Sequence, residues 1–291
     1  MGRGGSDLTA SVVGAGIPVT EIQIWTDVDG LLTCDPRVLH GGYRVRSLSY
    51  EEAEEMARLG AKVLCPKTVV PAIRQNIPLV IRNSRHPEVE GTLVWAGAVR
   101  KPGSVKAIAC KTGMTVVHLF VPETGILPVI SHGLNDLFER NQLGVEMVQA
   151  QADGVSFAVQ STPRLPELLR DVAPSVRISV EEDTAVISLI GEGITAEPAV
   201  LKRGLVALLK NSAVRMTSQG GSQKSLSFAV PEAKLAISVE NLHREFFRVA
   251  DPEIFVPTSE SERRPVLASP QNRGVPDHPK WSPQPRLFPV R

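Results

Sequence analysis

The first residues of the chain have the composition of an anion-binding turn. Glycines at positions 2, 4 and 5 allow positive φ angles and bring backbone N–H groups close to a charged ligand. Arg3 lies in the same turn, and its planar guanidinium matches a carboxylate or a phosphate. Ser6 and Asp7 suit the start of the helix that residues 8–16 can form. The stretch G-R-G-G-S-D therefore predicts an anion site, and a flexible terminus is the alternative that its composition leaves open.

Acidic residues follow a short predicted strand. Residues 21–26 (E-I-Q-I-W-T) have the alternation of a strand, and the turn T-D-V-D-G at 26–30 places Asp27 at its carboxyl end. In an open α/β sheet, that edge is where ligands bind. Asp27 taken alone is equally typical of a residue that caps a turn.

The elements that would position these residues form an α/β unit. S-Y-E-E at residues 49–52 is a capping box and predicts a helix that ends at Gly60. A second helix is predicted over 62–75, followed by strands at 77–82 and 91–95. Alternating short strands and helices are typical of an α/β domain.

Two later stretches share one order of elements, strand–helix–strand–strand–helix–strand. In the first stretch, these elements occupy residues 114–121, a segment up to 141, 144–151, 154–160, 164–172 and 175–180. In the second stretch, they occupy residues 185–192, about 200–210, 213–220, 225–231 and a helix ending near 247. This order predicts two ferredoxin-like βαββαβ modules. The second lacks a last strand, which the apolar segment 105–110 (V-K-A-I-A-C) could supply by pairing back.

The composition excludes several classes of function. The chain has 291 residues, with 32 Lys plus Arg against 31 Asp plus Glu, so no net charge attracts nucleic acid or an anionic membrane. No apolar run is long enough to span a bilayer, and no secretion signal is visible. Cys34, Cys65 and Cys110 lie far apart, which fits a reducing cytoplasm. The six histidines have no metal-ligand spacing, so we expect no metal ion except one carried by a substrate.

The carboxyl-terminal stretch has a different composition. Residues 251–291 contain nine prolines among charged and polar residues. Such a segment buries too little apolar surface to order itself. The sequence therefore predicts a disordered tail over residues 250–291.

Three motifs together resemble those of the aspartate kinases in the amino-acid kinase superfamily. They are G-R-G-G-S-D, T-D-V-D-G-L-L-T-C-D-P-R at 26–37, and G-A-K-V-L-C-P at 60–66. The paired modules resemble the two ACT domains of those enzymes, and V-R-M-T-S-Q-G at 214–220 strengthens the likeness. The resemblance covers residues 2 to about 247. It implies the carboxyl-terminal part of an amino-acid kinase domain, an open αβα sandwich, over residues 1–100, followed by ACT modules at 103–183 and 184–249.

The resemblance implies a phosphotransferase. Such an enzyme transfers the γ-phosphoryl group of Mg-ATP to the side-chain carboxylate of L-aspartate, giving 4-phospho-L-aspartate, the first step of lysine, threonine and methionine synthesis. It also implies an amino-acid effector at the ACT modules, and a homo-oligomer or pairing with a longer aspartate kinase chain. ACT modules commonly pair edge to edge, which favours such an assembly.

The resemblance also assigns roles to single residues. Arg3 and Lys62 would act on the reacting groups. The amino-acid substrate would be bound by Arg3, Gly4, Gly5 and Ser6. The nucleotide would be bound by Thr26, Asp27, Leu32, Thr33, Cys34, Asp35, Pro36, Arg37 and Lys62. Without the motifs, Arg37 and Lys62 would be interpreted as ordinary surface residues.

The chain also departs from the family pattern. Cys65 stands where histidine is usual, which we interpret as a packing substitution. The effector region at 123–142 is longer than usual, and residues 149–152 and 222–225 differ from the familiar motifs, which leaves lysine or threonine feedback open.

The family's lysine-bearing K-x-G-G-[ST]-S loop does not occur in the 291 residues. We therefore expect this chain alone to be inactive as a kinase. The alternative function is that of a non-catalytic regulatory subunit that binds an amino-acid effector.

Overall fold

The protein is represented by a computed structural model that describes residues 4–61, 66–120, 133, 136–141, 143–151, 154–172 and 177–258. Within them lie a four-stranded unit, a six-stranded unit and a short two-stranded ladder that connects them. In the described part of the chain, every helix is too short or too polar to cross a bilayer.

The four-stranded unit contains three helices and the first five strands of the chain. These elements are α1 (Gly5–Gly16), β1 (Ile22–Thr26), β2 (Arg44–Val45), β3 (Ser47–Leu48), α2 (Tyr50–Arg58), α3 (Pro66–Gln75), β4 (Leu79–Asn83) and β5 (Thr92–Val94). The sheet order is β1-β4-β5-β3, with β1 parallel to β4. The predicted capping box is confirmed, because Ser49 Oγ accepts from Glu52 N and Glu52 Oε2 accepts from Ser49 N.

The six-stranded unit spans the segments for which the two modules are predicted. Its elements are β6 (Ala107–Phe120), β7 (Val145–Gln151), β8 (Gly154–Gln160), α4 (Leu165–Val172), β9 (Arg177–Ile190), α5 (Pro198–Leu209), β10 (Met216–Gln219), β11 (Ser225–Pro231) and α6 (Leu235–Phe247). The sheet order is β10-β11-β9-β6-β8-β7. The helix expected before residue 142 falls largely outside the described residues.

Two strands are longer than the sequence pattern predicts. Residues 105–110 and 114–121 read as separate strands, yet β6 runs unbroken through a register shift between Lys111 and Met114. Gly113, at φ 66°, lets the chain pass this irregularity. The first part of β6 pairs with the last part of β9, with Ala107 opposite Ile190. The segment before the first module therefore completes the sheet beside the second.

β9 has the same property. The sequence predicts strands at 175–180 and 185–192, whereas one strand spans Arg177–Ile190. Asp183, at φ 49°, takes up the bend at the acidic turn sequence E-E-D. The predicted boundary between residues 183 and 184 thus falls inside one strand that both modules share.

A single apolar core joins the two units. Leu48 and Leu79 of the first unit belong to the same buried cluster as Ile187 and Leu242 of the second. We therefore treat the described residues as one packed body rather than as two domains on a tether.

The predicted disorder of the tail is wrong for residues 251–258. Ile254 and Phe255 are buried, and β12 (Phe255–Val256) pairs antiparallel with β2 of the four-stranded unit. The overall composition of residues 250–291 does not indicate this, because burial of only two apolar residues is enough to hold a short segment against the rest of the protein. Residues 259–291 lie outside the described part of the chain.

Candidate functional site

Several predicted site elements meet at one edge of the four-stranded sheet. β1 and β4 are parallel neighbours, so Thr26 and Asn83 end side by side, and Ser84 N donates to Thr26 O at 2.8 Å. α1 precedes β1 through a short turn and is about 18 Å long, close to the strand's length of about 17 Å. Its N-terminus therefore lies at the carboxyl end of β1. By the same argument, the N-terminus of α3 lies at this edge, because α3 directly precedes β4 and β4 ends there.

The N-terminus of α1 begins with a glycine in the left-handed conformation. Gly4 is the N-cap at φ 82° and ψ 10°, and among the residues that the structure describes no side chain caps the helix. Ser6 Oγ donates to Asp7 Oδ1 at 3.1 Å instead of accepting from the helix. The first N–H groups of α1 are thus left without a side-chain cap, at the positive end of the helix dipole.

A polar cluster lies beside it at the ends of β1 and β4. Asn83 Nδ2 donates to Asp29 Oδ1 at 2.6 Å, and His86 Nδ1 lies 3.2 Å from the same oxygen. Thr26 Oγ1 donates to Asp27 Oδ1 at 3.2 Å, and Asp27 is exposed. Asn83 and His86 are not among the site residues that the sequence predicts. The signal was the polar run N-S-R-H directly after a strand that is parallel to β1.

The loop between β1 and β2 presents a charged pair. Arg37 Nε donates to Asp35 Oδ1 at 2.9 Å, and Arg37 Nη2 lies 2.5 Å from Asp35 Oδ2. The hydrogen bond to Asp35 raises the pKa of Arg37 above its usual range. The Arg37 side chain is 60% exposed, so a ligand can reach the guanidinium.

Other predicted residues of this loop turn inward. The Thr33 hydroxyl is buried, accepts from Tyr43 N at 3.0 Å and lies 3.0 Å from His243 Nε2. Cys34 Sγ donates to Leu39 O at 3.5 Å, and burial raises the pKa of this thiol to about 12. Their side chains therefore pack inside the protein and stabilise the loop, and they are not exposed to a nucleotide as the sequence predicts.

The remaining predicted residues of the loop flank the charged pair. Leu32 forms an isolated bridge with Arg44 and is partly buried, whereas Pro36 is exposed. Among residues 32–37, the exposed side chains are thus those of Pro36 and Arg37.

Some predicted site residues cannot be placed. Arg3, Lys62 and Cys65 lie outside the described residues, as does most of the effector region 123–142. Among the residues that are described, no three His, Cys, Asp or Glu side chains gather as metal ligands.

The comparisons with known proteins define the class first. Residues 1–83 match the amino acid kinase family, and residues 187–246 match an ACT domain. The chain is therefore similar to the amino acid kinase family over residues 1–83 and to an ACT domain over residues 187–246. The mixed α/β fold agrees with both assignments.

Within that class, the chain resembles aspartokinases across both segments. It is 31% identical over 265 residues to aspartokinase 1, chloroplastic, of Arabidopsis thaliana, covering 86% of this chain and 46% of that relative. The crystal structure of E. coli aspartokinase III with aspartate and ADP (R-state) superimposes with a TM-score of 0.75 at 30% identity, covering 84% and 56% of the two chains. Its structure with lysine and aspartate (T-state) gives 0.70 at 30% identity, covering 85% and 56%. The chain thus spans about half the length of the curated relatives it matches.

Proposed function

We propose that this chain is part of an aspartate kinase that transfers the γ-phosphoryl group of Mg-ATP to the side-chain carboxylate of L-aspartate. The observations that carry the proposal are the left-handed Gly4 at the start of α1, the parallel carboxyl ends of β1 and β4, and the exposed Arg37 on the loop that follows β1. The similarity to aspartokinase III, whose crystal structure holds aspartate and ADP, supports this assignment.

The amino-acid substrate would bind at the start of α1. Gly4 and Gly5 allow the backbone to approach the ligand, and the N–H groups of the first turn, with that of Ser6 among them, suit a carboxylate. Arg3 would add a bidentate contact from the same turn. A side-chain carboxylate oxygen of aspartate then attacks the γ-phosphorus, the bond to the β-phosphate oxygen breaks, and ADP leaves with 4-phospho-L-aspartate as the product.

The nucleotide would bind between β1 and the loop. Thr26 and Asp27 would contact it from the strand end, and Arg37 and Lys62 would stabilise the charge on the phosphates. Phosphoryl transfer requires mainly positioning and such charge stabilisation. Mg²⁺ would be held largely by the phosphates, because this ion keeps few protein ligands in kinase sites.

The six-stranded unit would carry regulation. The T-state structure of E. coli aspartokinase III holds lysine. A curated E. coli relative is named lysine-sensitive aspartokinase 3. We therefore expect an amino-acid effector at the ACT modules, and lysine and threonine are the first to test. An assembly of two or more chains would follow from edge-to-edge pairing of these modules.

The proposal is tested by calorimetric titration of the 291-residue chain with MgADP. Arg37→Met should weaken binding at least tenfold, because a charge-assisted contact contributes about 1.5–3 kcal/mol. Arg74→Met is the matched control: Arg74 is also exposed, in the last turn of α3 at the opposite edge of the sheet. Absence of MgADP binding to the unmodified chain, or equal losses in both variants, would overturn the nucleotide assignment.

Turnover provides a second test. The match to the amino acid kinase family spans only 83 residues, so we expect the chain alone to show no aspartate-dependent ATP hydrolysis or phosphorylation. Robust turnover by the pure 291-residue chain would contradict this.

The second candidate function is a non-catalytic regulatory subunit. It is favoured by an exposed apolar surface on the four-stranded unit, formed by the outer strand β1 and by Val12, Val13, Ile17 and Trp25. Such a surface is typical of one that a partner covers. A longer aspartate kinase chain would be that partner, and light scattering of the mixed chains would show a complex with an amino-acid-dependent affinity.

A further inference from the structure

The segment 251–258, which we call the strap, connects the ACT unit back to the candidate nucleotide loop. It begins after α6 and lies beyond residue 246, where the match to the ACT domain ends. Its residues Phe255 and Val256 pair with Val45 and Arg44 of β2. β2 in turn pairs with the start of the loop, because Val45 N donates to Leu31 O at 2.8 Å. The strap is thus the outer strand of a small ladder. The inner strand of this ladder, β2, is hydrogen-bonded to the start of the loop that carries Asp35 and Arg37.

Polar contacts hold the strap along its length. Arg46 N donates to Ile254 O at 2.8 Å, and Arg46 Nε donates to Pro252 O at 2.9 Å. Thr258 Oγ1 donates to Gly42 O at 2.9 Å. At the other end, Lys101 Nζ lies 2.6 Å from a carboxylate oxygen of Asp251 and 2.6 Å from one of Glu253.

An aromatic cluster joins the loop, the helix and the strap. Tyr43 of the loop stacks on His243 of α6 with ring centroids 6.2 Å apart, and it lies 6.2 Å from Phe255 of the strap. Phe247 of α6 contacts both His243, at 4.8 Å, and Phe255, at 5.5 Å. Paired aromatic rings contribute about 0.5–1.5 kcal/mol beyond their buried area. These ring contacts therefore pack both the loop and the strap against α6.

The loop holds a turn of its own, in which Val38 N and Leu39 N donate to Asp35 O, but it has no regular secondary structure to fix that turn in place. Residues 31–43 contain no helix or ladder strand; Thr33 N donates to Tyr43 O at 2.9 Å, and Ile108 N donates to Thr33 O at 2.7 Å. A free loop loses conformational entropy when a ligand orders it, and pre-ordering removes that cost.

We propose that the strap positions the candidate nucleotide loop, which makes residues 251–258 positioning residues for nucleotide binding. This rests on the proposed function, since the loop is assigned to the nucleotide there. The strap keeps β2 in register, β2 keeps Leu31 and Thr33 in place, and these hold the turn that presents Arg37. Because the strap continues directly from α6, the ACT unit and the nucleotide loop share one support.

The proposal is tested by amide hydrogen exchange and MgADP titration on the 291-residue chain and on Lys101→Met. Loss of the Lys101 anchor should speed exchange of the Thr33 amide in the loop and of the Val45 amide in β2 at least tenfold, and weaken MgADP binding at least threefold. The matched control is Arg100→Met: Arg100 is similarly exposed, but its carboxylate neighbour is Glu51 at 3.8 Å. Lys101→Arg should restore both readouts, which a merely misfolded chain would not do.

A second variant removes the strap altogether, by ending the chain after residue 250. It should show faster exchange at the loop than at β4, with MgADP affinity at least tenfold lower. Unchanged loop exchange in Lys101→Met together with an unchanged affinity in the shortened chain would overturn the strap proposal. Absence of MgADP binding to the full chain, with the loop still loosened in both variants, would instead overturn the proposed function and leave the strap as a loop support only.

Discussion

At the scale of single residues, Glu52 connects local and tertiary structure. Its carboxylate completes the capping box of α2 and also accepts from Lys106 Nζ at 2.7 Å. Both side chains are fully buried, and Lys106 Nζ donates a second bond to Val99 O at 2.8 Å. A buried charge without its partner is strongly unfavourable, so the two residues require each other. One carboxylate thus starts a helix and fastens the segment that enters the six-stranded unit.

His243 predicts a pH dependence of stability. Burial lowers the pKa of its imidazole to about 4, below its ordinary value of 6.5. The folded state then binds fewer protons than the unfolded state, so stability is complete above pH 6.5 and is lost as the pH falls from 6.5 towards 4. At pH 5 the loss attributable to His243 is about 2 kcal/mol.

Urea unfolding at pH 8 and pH 5 measures this loss. His243→Asn cannot titrate in this range, so its free energy of unfolding should depend less on pH than that of the unmodified chain. His86→Asn is the control, since His86 is exposed at the sheet edge. Parallel pH profiles for the unmodified chain and His243→Asn would contradict the prediction.

At the scale of elements, the β4–β5 turn depends on a close backbone approach. Gly91 has φ 82°, and a Cβ there would lie 1.9 Å from Ile81 O. The same turn receives Arg44, whose guanidinium donates to Gly91 O. Only glycine combines this φ with this contact.

Gly91→Ala should therefore lower the free energy of unfolding by more than about 3 kcal/mol, because strain at φ and a backbone clash add. Thermal unfolding followed by circular dichroism measures the effect. Gly16→Ala is the control, since nothing lies within 4 Å of a Cβ at that position. Equal midpoints for the two variants would show that the turn can relax.

At the scale of the whole molecule, a shared core couples the four-stranded unit to the six-stranded unit. The core crosses from the four-stranded to the six-stranded unit, the Glu52–Lys106 pair lies on the same path, and the strap returns from the second unit to the first. Separate domains on a linker would lack these three connections.

We therefore expect one unfolding transition. Trp25 and Trp95 report on the four-stranded unit, whereas far-ultraviolet circular dichroism reports on both units. With the third tryptophan removed by Trp281→Phe, their urea midpoints should coincide, as they do when unfolding is two-state. An early fluorescence transition followed by a second change in circular dichroism would show that the units unfold separately.

Much of the fold could be predicted from the sequence, because local patterns determine it. The capping box at Ser49, the strand before Asp27 and the positions of most strands and helices follow from side-chain periodicity and cap chemistry, which act over a few residues. The motifs of residues 2–7 and 26–37 likewise carry the aspartate kinase resemblance without tertiary information.

Other features depended on tertiary structure. The sequence alone predicted the positions of most strands, carried the motif resemblance and predicted an anion site at the first turn. Only the tertiary structure decided that β6 and β9 continue through Gly113 and Asp183, that Thr33 and Cys34 point inward, and that Asn83 joins Asp29. It also decided that Phe255 docks on Tyr43 instead of belonging to a disordered tail. The physical reason is that pairing register, burial and docking depend on contacts between residues far apart in the chain, which local propensity does not encode.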